Sequence, residues 1–141
     1  FKIHILRVIK MEVSQTSELY REHILDHYKN PRNFGILKSA DIRRREFNPL
    51  CGDDLEFNIK LDGNKIEDVR FKGRGCAISQ ASASILTEEI KGKTIEEVSA
   101  MKNEEIINLL GIPIGPVRYK CAILSIMTVK AGIEEYLNKK I

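Results

Sequence analysis

No apolar run in this chain is long enough to span a bilayer, so nothing in it reads as a membrane protein. The formal net charge is only +3, which gives a nucleic-acid role no compositional support. Internal repeats and low-complexity stretches are absent. The chain has no C-x-x-C pair, so a structural zinc finger or a thioredoxin-like site is unsupported. It has no Walker-type loop, no Ser-His-Asp set and no HExxH motif, and "GRGCAI" lacks the third glycine of a dinucleotide fingerprint. Cysteine is scarce. There are three, an odd number that cannot pair off internally, and they lie 25 and 45 residues apart. That spacing is unlike the dense framework of a small secreted domain. Three free thiols in a reducing cytoplasm fit better.

What is present suits one globular domain: 141 residues, 43% apolar and 30% charged. The opening "FKIHILRVIK" is basic and apolar, but its apolar stretches are short and no small-residue cleavage site follows. Met11 could itself be a start, so residues 1–10 read as an extension. The folded domain is expected to cover 17–141, leaving 1–16 outside it. "SELYREHILDHYKN" places Leu19, Tyr20, Ile24 and Tyr28 at helical spacing, with Ser17 a plausible cap and Pro31 and Gly35 stopping the helix. A short extended piece is expected around Asp41–Phe47. "LEFNIKL" alternates Leu55, Phe57, Ile59 and Leu61, "DGN" turns, and "KIEDVRF" returns, which is a hairpin. The period then becomes helical, with Ile78, Ala81, Ile85 and Ile90 on one face. Two short helices follow, the first opened by a Thr94-x-x-Glu97 capping box. A stiff loop, "GIPIGPVRYK", leads to a last helix over about Ala122–Asn138 that is expected to bury Ile123, Ile126, Met127, Ile133 and Leu137. The fold class is α+β: a small antiparallel sheet of about three strands packed against several helices.

Each cysteine falls at an element junction. Cys51 follows the Pro49 turn, Cys76 follows "GRG" and opens a helix, and Cys121 follows "PVRYK" and opens the last helix. A helix start favours the thiolate, and Arg74, Arg118 and Lys120 add positive charge. Any one of these thiols alone reads as a small buried apolar side chain. Three at junctions, all flanked by glycine, proline or cations, turn the balance toward ligands of a bound group. A tetrahedral metal or cluster site needs a fourth. Asp53 can reach the same centre from the Cys51 loop, or can be a turn residue; spacing leaves both open. Lys120 is a poor ligand while protonated. His23 and His27, four apart, could face one way, but on a polar helix a solvated face is the better reading. His4 lies in the extension. Arg43–Arg45 reads as a solvated strand end, or as a docking patch for an acidic partner.

"CGDDLEF", "GCAISQASAS", "PVRYKCAIL" and "LYREHILDHYKNPRNFG" together resemble the U-type iron–sulfur cluster scaffold proteins, the IscU/SufU/NifU N-terminal family, over roughly Ser17 to Ile141. The resemblance implies a SufE/NifU-like fold. It implies Cys51, Cys76 and Cys121 as cluster-ligating thiolates, with Asp53 the aspartate near the cluster. Members look like platforms on which a 2Fe–2S cluster is assembled and then passed to apo-proteins. Sulfur would arrive as persulfide from a pyridoxal-phosphate-dependent cysteine desulfurase. Cys121 is the expected persulfide acceptor. An exposed cluster could also be shared with a second copy, as a homo-oligomer. No nucleic-acid or membrane partner is implied.

Two departures matter. Housekeeping members carry histidine immediately before the third cysteine, where this chain has Lys120, so Asp53 is expected to supply the fourth ligand. Lys120 is expected to stabilise the Cys121 thiolate or pair with Asp53. The family's Leu-Pro-Pro-Val-Lys chaperone-docking stretch is represented by "IGPVR", which keeps only the second proline and the valine. Lysine before the third cysteine and "ISQASAS" resemble the SufU branch, some of whose members bind zinc and accept sulfur. Those usually carry an insertion before the third cysteine, for which the 45-residue gap leaves no room. The cluster scaffold is therefore the first reading and a zinc-bound sulfurtransferase the second.

Overall fold

The structure, a computed structural model, describes residues 18–139. The proposed extension 1–16 lies outside them. Residues 18–29 form helix α1. Three strands follow: β1 (Ile42–Asn48), β2 (Asp53–Asp62) and β3 (Lys65–Arg74). They make one antiparallel sheet in the order β1-β2-β3. Helices α2 (Ala77–Ile90), α3 (Ile95–Ser99), α4 (Asn103–Leu110) and α5 (Pro116–Lys139) complete the chain. This is the expected α+β arrangement.

Alternation in β2 drives Leu55, Phe57 and Ile59 into the core, all fully buried. The return strand cannot alternate strictly, because Ile66 and Val69 are three apart yet both buried. A register shift at Lys60/Leu61 resolves this: Lys60 faces Asp68 while Leu61 faces Ile66, so Glu67 is the extra residue of a bulge. The arginine run sits on edge strand β1 and is consumed by internal partners. Arg44 reaches Glu46 at 2.6 Å and Glu135 at 2.9 Å, and Arg45 grips both oxygens of Asp54 at 2.9 and 2.6 Å. Arg43 bonds Asn58 and the Leu37 carbonyl. The solvated-strand-end reading fits these pairs better than a docking patch.

Helices α2 and α5 pack against each other and both against the sheet, α2 on β3 and α5 on β1 and β2, with Ser79 through Thr87 of α2 buried. Its small residues let α5 approach closely. The buried hydroxyls are matched, as buried polar groups must be: Ser82 Oγ donates to the Ala122 carbonyl at 2.7 Å and lies 2.7 Å from Ser125 Oγ. The Thr94–Glu97 capping box is formed, with both reciprocal bonds present.

Three sequence expectations are corrected. Helix α5 starts at Pro116, not near Ala122. Proline belongs at a first helical turn, where its missing N–H costs nothing, so the "stiff loop" ends at Gly115. Met127 and Leu137 are exposed (52% and 41%), because α5 presents Ile126, Val129 and Ile133 to the core instead. In α1 the buried residues are Ile24 and His27, while Leu19, Tyr20 and Tyr28 stay at the surface. His27 is no solvated side chain: Ser84 Oγ lies 2.6 Å from its Nδ1, which lets the ring be buried. Among the described residues no helix is long and apolar enough to cross a membrane.

Candidate metal or cluster centre

The three cysteines arrive from three elements. Cys51 sits in the turn between β1 and β2, exposed, in a loop folded around Asn48. The Asn48 carbonyl accepts the N–H of Cys51 at 3.3 Å and of Gly52 at 2.9 Å, and its Oδ1 accepts the Leu50 N–H at 3.2 Å. Asp53 is the first residue of β2 and fully buried. Cys76, half-buried, is the N-cap of α2. Cys121 lies in the second turn of α5, fully buried.

Ligand atoms of Cys51, Asp53 and Cys121 fall within 4.8 Å of one another. The Cys76 side chain meets that of Cys121 from the α2 side. Of the four residues singled out from sequence, Cys51, Asp53 and Cys121 bring their ligand atoms together, and Cys76 stands beside Cys121. Asp53 is held by one oxygen: its Oδ1 accepts the Cys76 N–H and the Ser79 hydroxyl, each at 3.0 Å. Its Oδ2 is buried without a hydrogen-bond partner among the described residues. An ionised carboxylate oxygen in that state is costly, and three adjacent sulfurs make a cation its natural complement. Three soft thiols and one carboxylate suit zinc or iron better than magnesium or calcium.

Gly75 makes this arrangement possible. Its φ is +151°, and a Cβ there would fall 2.3 Å from Asp53 Oδ1 and 2.8 Å from Ser79 Oγ.

The electrostatics revise two expectations. Burial, and then the Asp53, Cys51 and Cys76 side chains around it, push the Cys121 thiol well above its ordinary value of 9.0. This shift opposes the activated thiolate expected of a helix start. The helix begins at Pro116, six residues before the expected Ala122, so Cys121 lies in its second turn and is buried. The cation serving the site is Arg118. The Cys76 side chain facing its guanidinium holds it above the ordinary arginine range, and Cys121 and Cys51 act in the same direction. Lys120 is exposed and takes part in no ion pair among the described residues, so its expected pairing with Asp53 is not made. Beside Cys76, Arg118 also borders a cleft of about 430 Å³ walled by Ile78, Ile112 and Ile114.

Sequence reasoning missed Asn48 and Ser79. Asn48 Nδ2 lies 4.0 Å from Cys121 Sγ, the outer limit for a bond to sulfur. Ser79 stands three residues after a helix-capping cysteine, a position where a polar side chain turns back on the cap. That signal was available.

Comparison with known proteins gives a consistent result. The profile of the NifU-like N terminal domain matches residues 19–141. The zinc-dependent sulfurtransferase SufU of Bacillus subtilis (strain 168) is 41% identical over 132 residues, covering 82% of this chain and 89% of that protein. The iron-sulfur cluster assembly scaffold protein IscU of Haemophilus influenzae is 42% identical over 125 residues, covering 86% of this chain and 98% of that protein. A nitrogen-fixing NifU-like protein (N-terminal) from Brucella abortus superposes with a TM-score of 0.72 over 90% of this chain and 99% of its own. At 21% identity that last likeness speaks for the fold alone.

Proposed function

We propose a function from one premise: the chain belongs to the NifU-like N-terminal domain family. It is a scaffold on which a 2Fe–2S cluster is assembled and from which the cluster passes to apo-proteins. Cys51, Asp53, Cys76 and Cys121 hold this cargo. The observation that carries the reading is the convergence of Cys51, Asp53 and Cys121 ligand atoms around a buried carboxylate oxygen with no partner among the described residues. Three thiolates bind iron strongly, while one carboxylate oxygen is a harder, more exchangeable ligand. Such a set retains a cluster and still releases it. The protein acts as a carrier, in a reducing compartment such as the cytoplasm.

Sulfur comes from a cysteine desulfurase. An acceptor thiolate attacks the terminal sulfur of the desulfurase persulfide, the S–S bond breaks, and the desulfurase cysteine leaves as thiolate; no external oxidant or reductant is needed. We place this step on Cys51 rather than on Cys121. Cys51 is exposed on its loop, whereas Cys121 is fully buried. Arg118 offers positive charge to the arriving persulfide; Lys120, also on the surface, has no ion-pair partner among the described residues that would aim it.

A zinc-bound sulfurtransferase is the second reading, favoured by the SufU relative and by a donor set that also suits tetrahedral zinc. The deciding measurement is iron, zinc and acid-labile sulfide per chain on protein purified without oxygen. Iron and sulfide in equal amounts support the scaffold. Zinc without sulfide supports sulfur transfer and sets cluster assembly aside. The same preparation run on a sizing column tests whether loading brings two copies together.

A further inference from the structure

We propose that Ser79 is a positioning residue for Asp53, pinning one carboxylate oxygen so that the other alone is presented to the bound metal. The inference rests on Asp53 being a ligand, as argued above. Both residues are fully buried. Ser79 has one hydroxyl proton and two acceptors in reach, Asp53 Oδ1 at 3.0 Å and the Cys76 carbonyl at 3.1 Å. The carbonyl is already served by the Gln80 N–H at 3.1 Å, and the carboxylate is the charged, stronger acceptor. The proton therefore belongs to Asp53. Gln80 Nε2 approaches Ser79 Oγ at 3.4 Å from the donor side, which leaves that proton free to point away.

Oδ1 then carries two donors, and Oδ2 carries none among the described residues. The carboxylate cannot turn over without breaking both bonds, and both Asp53 and Ser79 are fully buried. Gly75 closes the remaining side, since only its missing Cβ leaves room for Oδ1. The consequence is a one-oxygen ligand of fixed orientation, whose exchange is governed by a neighbour that touches no metal. Partners of this outer kind typically change metal affinity by about 10- to 100-fold.

The test uses the whole chain loaded with zinc alone, timing its release to a chromophoric chelator, with the visible spectrum of the cobalt(II)-substituted protein as a second readout. Asp53→Ala and Ser79→Ala are each expected to release zinc about 10-fold faster than the parent and to alter the cobalt bands. Ser79→Thr, which keeps the hydroxyl, should stay near the parent. Ser79→Val, of the same shape without the hydroxyl, should behave like Ser79→Ala; this pair decides the matter if alanine prevents folding. If Asp53→Ala accelerates release but Ser79→Ala does not, the positioning role is wrong and Asp53 remains a ligand. If threonine and valine release alike, the hydroxyl is irrelevant and the proposal fails. If Asp53→Ala changes nothing, the ligand reading itself falls.

Discussion

Acidification should destabilise the metal-free protein through one identifiable residue, His27. The ring is 1% exposed, with Nδ1 2.6 Å from Ser84 Oγ and Nε2 3.6 Å from Glu88 Oε1. Ser84 Oγ already accepts the Arg32 N–H at 2.8 Å, so its own proton is free to go to Nδ1, and the neutral ring carries its hydrogen on Nε2 toward Glu88. Burial lowers the His27 pKa from its ordinary 6.5, Arg32 and His23 lower it further, and Glu88 and Asp26 act the other way. The folded protein thus binds this proton less readily than the unfolded chain. Stability is complete above pH 6.5 and falls as the pH drops below it, down to the folded-state pKa. One proton gives a slope of about 1.4 kcal/mol per pH unit, a large fraction of a typical domain stability of roughly 5–15 kcal/mol. Asp26, Asp54 and Glu135, held low by Arg32, Arg45 and Lys139, lose their contributions only at still lower pH, near the ordinary carboxylate range. The assay is urea denaturation in chelator at half-unit steps from pH 8 to 4.5. His27→Gln should abolish the slope below pH 6.5 and cost a pH-independent ~1–3 kcal/mol for the lost buried hydrogen bond. A variant that keeps the parent slope, or a parent with no slope there, would refute the reasoning.

Three further outcomes follow from the same structure. In metal-free protein at neutral pH, iodoacetamide should alkylate Cys51 well before Cys121, read by peptide mass spectrometry, because Cys121 is buried and its thiol is pushed up. Gly75→Ala should lower zinc affinity at least 10-fold while leaving the far-UV spectrum recognisable, since the added methyl meets Asp53 Oδ1 at 2.3 Å; unchanged affinity by competition titration would contradict the packing described. Leu86→Ala, fully buried in α2, should cost about 2–5 kcal/mol in chemical denaturation, against about 1 kcal/mol for Thr94→Ala, which removes a surface capping box.

Much of this was legible locally. The hairpin follows from alternation around Gly63–Asn64, the capping box from Thr94 and Glu97, and the ligand candidates from cysteines placed at junctions. The register shift near Glu67 was not, because a bulge is set by which side chains both strands must bury together. The start of α5 was not legible either: "GIPIGPVRYK" reads as a stiff loop, whereas Pro116 opens the helix as a first-turn proline. That reading places Cys121 at a helix end, when it lies in the second turn and is buried.

By itself the sequence determined the element order, the α+β class and the three cysteine ligand candidates, with Asp53 added by the family resemblance, since these depend on residue type, on motif and on periodicity within single elements. Tertiary packing decided which of the four is exposed and which is buried. It made Arg118 rather than Lys120 the cation that meets the thiols, and set His27 in the core against Ser84. It also fixed Asp53 by one oxygen to Cys76 and Ser79, 23 and 26 residues away. Each of these rests on a contact between elements distant along the chain, and no local pattern records which side chains meet once helices pack on a sheet.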